Sequence, residues 1–76
     1  MSIFVAVIFM KIYSNSQISA LIDEWIHSER DRRILKRRLI DGIAFEPLAE
    51  EFLMSPRQVK RLVYSAQDTL FQHIQH

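Results

Sequence analysis

Residues 45–62 read FEPLAEEFLMSPRQVKRL, and this stretch decides the fold. Its second half opens with Ser55-Pro56-Arg57-Gln58. That is a helix start three times over: a capping serine, a proline at the first helical position, and a glutamine three residues after the cap. Its first half predicts a short helix over 45–52, with Pro47 in the first turn, where a missing N–H does no harm. Leu48, Ala49 and Phe52 form its inner face. Only Leu53-Met54-Ser55 is left to join the two. A short helix, a tight turn and a longer helix make a helix-turn-helix pattern. The side chains agree with it. Ala49 is small where the helices must approach, Val59 is the β-branched residue facing it, and Leu48, Met54 and Leu62 fill the remaining inward positions.

Reading outward, Val59, Leu62, Val63, Ala66, Leu70 and Ile74 carry the second helix's apolar face towards the C-terminus. Upstream, Gly42 stands where a helix should stop, because a left-handed cap favours a residue without a Cβ. The helix it ends is expected over 29–41, with Ile34, Leu35, Leu39 and Ile40 inward. Ser28-Glu29-Arg30-Asp31 fits a Ser-x-x-acid capping box at its start. Before that, Ile18, Leu21, Ile22, Trp25 and Ile26 recur at helical spacing after the polar break Ser14-Asn15-Ser16. The fold class expected is therefore all-α: a small four-helix domain over 14–76, ending in a helix-turn-helix unit at about 45–64. Trp25, Phe45, Phe52 and Phe71 are expected in its core, and the histidines near the surface at helix ends.

The first stretch is of another kind. Residues 3–13, IFVAVIFMKIY, are almost wholly apolar. They are too few for a membrane span, which needs about 20 residues. No basic residue precedes them and no small-residue cleavage pattern follows, so a secretory signal fits poorly. Residues 1–13 therefore read as an apolar extension: a strand that pairs between two protomers, a buried helical appendage, or an upstream extension from a misplaced start codon. The first of these makes a homodimer through this segment a candidate. The expected location is the cytoplasm.

Composition removes several functions. The 76-residue chain has no Cys and one Gly. A disulfide framework, a thiolate metal site and a glycine-rich phosphate loop are thereby excluded. His27, His73 and His76 are scattered, Asp23 and Glu24 point in different directions, and no nucleophile stands beside a base and its orienting group. No enzyme activity, metal or cofactor is expected. Net charge is +1, which by itself suggests no nucleic acid. Its distribution does: nine of ten Lys/Arg lie within residues 29–64, against six of nine Asp/Glu. A near-neutral sum hides a modest basic face.

Three segments carry a resemblance: Glu29-Arg30 with Ile34-Leu35, Arg38 and Asp41-Gly42-Ile43; then 45–52; then 54–62. Over roughly residues 17–74 the chain resembles the fourth conserved region of sigma-70-family RNA polymerase sigma factors. It is nearest to short sigma-like proteins of bacterial and prophage genomes that carry this region alone. The resemblance implies a fold in the winged-helix-like superfamily. It also implies transcription regulation by double-stranded DNA binding at an upstream promoter element through the last helix, with RNA polymerase as a further partner. Three positions depart from the family pattern. Leu53 occupies a turn position that is usually Gly, Ala44 stands at a usual Ser or Thr cap, and Arg37 replaces a commonly apolar residue.

With the last helix's start in a major groove, Ser55, Pro56, Arg57, Gln58, Lys60, Arg61 and Tyr64 are the expected DNA-binding residues. Arg57 and Arg61 suit guanine O6/N7, Gln58 suits adenine N6/N7, and Lys60, Tyr64 and the Ser55 cap suit phosphate. Arg32, Arg33, Lys36 and Arg37 are candidate phosphate contacts; an exposed face laced by i,i+4 pairs is the other reading of that helix. Arg38 is expected to pair with Glu46 or Glu50. Glu46, Glu50 and Glu51 are expected to point away from phosphate. A protein-interaction module that binds polymerase or another helix without reading DNA is the alternative function. The apolar face of Ile18, Leu21, Ile22 and Trp25, together with the apolar N-terminal stretch, would serve it.

Overall fold

A computed structural model describes residues 13–74, with side chains through His73. The expectations placed on residues 1–12, the Ile74 side chain and His76 lie outside the described residues. The chain forms four helices and, among the described residues, no strand: α1 (Asn15–Trp25), α2 (Glu29–Leu39), α3 (Phe45–Glu51) and α4 (Pro56–Ile74). Four helices in an all-α domain is what the periodicity implies.

Each helix start shows what its sequence supplies. Before α1, Ser14 Oγ accepts from the Gln17 N–H at 3.2 Å, and Gln17 Oε1 accepts from the Ser14 N–H at 2.9 Å. This is a complete capping box. At α4 the same exchange joins Ser55 and Gln58, both bonds 3.1 Å. Ser28 closes only half a box. Its Oγ accepts from the Asp31 N–H at 3.4 Å, while the Asp31 carboxylate turns to Arg30 at 3.2 Å. Ala44 caps α3 with no side-chain hydrogen bond, and Glu46 in the first turn supplies the only anionic complement to that helix's start.

Two helices end earlier than expected. α2 stops at Leu39, not Asp41, because the chain widens there: the Asp41 N–H reaches the Lys36 carbonyl at 3.2 Å and the Ile43 N–H the Arg37 carbonyl at 3.1 Å. Gly42 makes the reversal with φ +73°. α3 ends one residue short of Phe52 in a Schellman turn. The Met54 N–H bonds the Ala49 carbonyl at 2.9 Å and the Leu53 N–H the Glu50 carbonyl at 3.3 Å. Leu53 is the left-handed residue, φ 55°. A side chain with a Cβ thus holds the position where glycine is the ordinary choice.

The core joins all four helices. Ile18 and Ile22 from α1, Ile34, Leu35 and Leu39 from α2, Leu48 and Ala49 from α3, and Val59, Val63 and Leu70 from α4 are buried together with Ile26. Burial of each large aliphatic side chain contributes roughly 1.5–3 kcal/mol. Ala49 is buried in this core, and α3 packs against α4. Phe52, Met54, Leu62, Trp25 and Phe45 are half-buried around this centre. Phe71 is also half-buried. Gln67, outside the apolar periodicity, is buried as well, and its Oε1 has no hydrogen-bond partner among the described residues. α4 packs on all three other helices.

Candidate nucleic-acid interface

The exposed start of α4 is built by the two devices that bracket it. The leucine-closed turn at 52–54 aims the chain, and the Ser55–Gln58 box fixes the first helical turn. Ser55, Pro56, Arg57, Gln58, Lys60 and Arg61 are all exposed, and Tyr64 is half-buried. Among the described residues Arg57, Lys60 and Arg61 form no ion pair. Three unpaired cations therefore lie on the exposed early turns of α4.

The capping bond narrows what Gln58 can do. Its Oε1 already accepts from the Ser55 N–H, so a bidentate match to adenine has to use that oxygen's second lone pair. The side-chain NH₂ remains to donate. The Ser55 hydroxyl accepts from the Gln58 N–H and still has its own proton to donate.

A ladder of rings and cations positions Tyr64 and Lys60. The Arg38 guanidinium lies 4.3 Å above the Phe45 ring centroid. Phe45 meets Tyr64 edge to face at 6.0 Å, and Lys60 Nζ stands 6.0 Å from the Tyr64 centroid. Arg38 also donates to the Ile43 carbonyl at 3.1 Å. This corrects the expectation that Arg38 pairs with Glu46 or Glu50. The turn after α2 offers an unsatisfied carbonyl and an aromatic face within reach, and together they take the guanidinium.

The α2 cations have partners too. Lys36 Nζ is 2.8 Å from the Asp23 carboxylate on α1. Arg37 bridges Asp41 at 3.1 Å and Glu51 at 2.8 Å. Hydrogen bonds to Glu51 first, then Asp41, hold that guanidinium more firmly protonated than a free arginine. Arg32 donates to the Ile26 carbonyl. Arg33 is exposed, with its guanidinium 5.8 Å from the Phe52 ring. Of the four candidate phosphate contacts, Arg33 alone has neither a carboxylate nor a carbonyl partner among the described residues. Of these ion pairs Arg37–Asp41 alone has the i,i+4 spacing expected; Lys36 and the second Arg37 bridge reach carboxylates on other helices.

A groove of about 530 Å³ runs between the starts of α3 and α4, lined by Ala44, Phe45, Glu46, Pro47, Pro56, Arg57 and Lys60. Glu46, in the first turn of α3, lines this groove together with the two cations. Glu51 is held by Arg37, as no sequence pattern indicated.

No protein-family model, curated protein or solved structure matches the chain. No helix of the described residues is long and apolar enough to cross a membrane.

Proposed function

We propose that this chain is a sequence-specific reader of double-stranded DNA that regulates transcription, with the start of α4 entering the major groove. The carrying observation is the contrast between two sets of cations. Lys36 and Arg37 are neutralised by carboxylates of the domain itself, whereas Arg57, Lys60 and Arg61 stand exposed and unpaired on consecutive turns of one capped helix. The arrangement of α3, a four-residue connection and α4 supports reading the pair as a helix-turn-helix. The resemblance to sigma region 4 supports the same reading and makes RNA polymerase a second partner to test.

The mechanism assigns guanine recognition to Arg57 and Arg61, and phosphate contacts to Lys60, Tyr64, Ser55 and Arg33. The face offered for the interaction-module alternative is divided: Leu21 and Trp25 are half-buried. Ile18 and Ile22 are 1% and 0% exposed, so α1 presents them to its own core and not to a partner.

Binding of fluorescent duplexes across a salt series tests the proposal. With two phosphates neutralised, by Lys60 and Arg33, log K should fall with log salt at a slope of about −2. Arg57→Ala should relax sequence preference by about 1–3 kcal/mol, and Lys60→Ala should weaken all duplexes alike and reduce the slope by about one. Arg37→Ala should leave affinity nearly unchanged. Capture of polymerase without DNA binding at physiological salt would establish the alternative instead.

A further inference from the structure

The groove between α3 and α4 holds an unexplained acid. Glu46 is exposed, makes no ion pair or hydrogen bond among the described residues, and lines the same groove as Arg57 and Lys60. A carboxylate on a DNA-facing surface weakens binding to every sequence unless a base supplies a donor to it. The four bases differ sharply here. Guanine presents two acceptors in the major groove, thymine an acceptor and a methyl group, and adenine an acceptor beside its amino group. Only cytosine offers an amino donor with no acceptor on its major-groove edge. The carbon beside that amino group bears only hydrogen, and the apolar side chains of Ala44, Pro47 and Pro56 line the same groove as Glu46.

We infer that Glu46 is a specificity-determining residue that accepts a hydrogen bond from the 4-amino group of a cytosine, in the groove where Arg57 takes the two acceptors of a guanine. The inference rests on the DNA-binding reading of this groove and adds a second base to it. Lys60, on the groove's rim, keeps the site attractive to the backbone while the carboxylate is present. Glu46 thereby selects against sites that place an acceptor opposite it, because such a base leaves two partial negative charges facing each other.

The sign of one substitution separates this role from that of a solvated acid. Glu46→Gln removes a charge without removing a buried contact, and its helical content is checked by circular dichroism. The preferred duplex is first selected from a random pool by the unaltered protein, and each of its cytosines is then exchanged for thymine in turn. Glu46→Gln is expected to bind the preferred duplex five-fold to a hundred-fold worse, relative to the duplex exchanged at one cytosine, than the unaltered protein does. Its affinity for unrelated duplexes should stay equal or rise. Uniform tightening across all duplexes, or the same loss for both proteins at every cytosine exchanged, would overturn the inference and leave the DNA-binding proposal standing. Failure of the unaltered protein to bind any duplex at low salt would overturn both.

Discussion

Leu53 combines two unfavourable properties. It sits at φ 55°, where a Cβ meets the neighbouring carbonyl, and its side chain is 94% exposed. The left-handed region costs a residue with a Cβ roughly 1–2 kcal/mol, and no burial offsets it. Leu53→Gly should therefore stabilise the domain by about 1 kcal/mol, raising Tm by about 4–8 °C in a thermal melt. Gly42 is the control of opposite sign. A Cβ built there meets nothing within 4 Å, so only its φ of +73° opposes substitution. Gly42→Ala should lower stability by about 1 kcal/mol. Gln67 gives a third case: its buried Oε1 has no partner among the described residues, so Gln67→Met should stabilise by about 1–3 kcal/mol in a denaturant titration.

At the scale of the helix, the caps differ in how completely they close. Ser55→Ala removes one side of a box with both bonds made, and should cost about 0.5–2 kcal/mol in a urea titration. Ser28→Ala should cost less, since its one bond is 3.4 Å long. Helix starts and inward faces were legible because both depend on neighbours three or four residues away. Ser55, Pro56 and Gln58 announce α4 on their own, and Ile18 with Ile22, or Val59 with Val63, announce a buried face. Long polar side chains were not legible in this way. Arg37 finds Glu51, fourteen residues on, and Arg38 leaves the acids for a carbonyl and a ring. Such choices depend on how α2 and α3 lie together, which no local spacing encodes. The burial of Gln67 escaped for the converse reason: polar type outweighed its position on an otherwise inward face.

Over the whole molecule, α4 does two jobs along its 19 residues, about 28 Å of helix. Its beginning carries the exposed cations, and its later turns anchor the domain. Leu70 is fully buried, and His73 stacks on Trp25 with ring centroids 3.6 Å apart and planes 7° from parallel. Leu70→Ala should cost about 2–5 kcal/mol, a large share of what a domain this small has in hand. His73→Ala should change the emission of Trp25, the chain's one tryptophan, while leaving DNA affinity unaltered; fluorescence and anisotropy on one sample decide this. The ladder from Arg38 through Phe45 and Tyr64 to Lys60 joins α2, α3 and α4 by face and edge contacts. Protons held above an aromatic face feel its ring current, so the Arg38 side-chain resonances should lie upfield of their usual positions and return when Phe45 is replaced by leucine. The rim of the groove thus contains its own magnetic probe, readable in a proton spectrum before any partner is added.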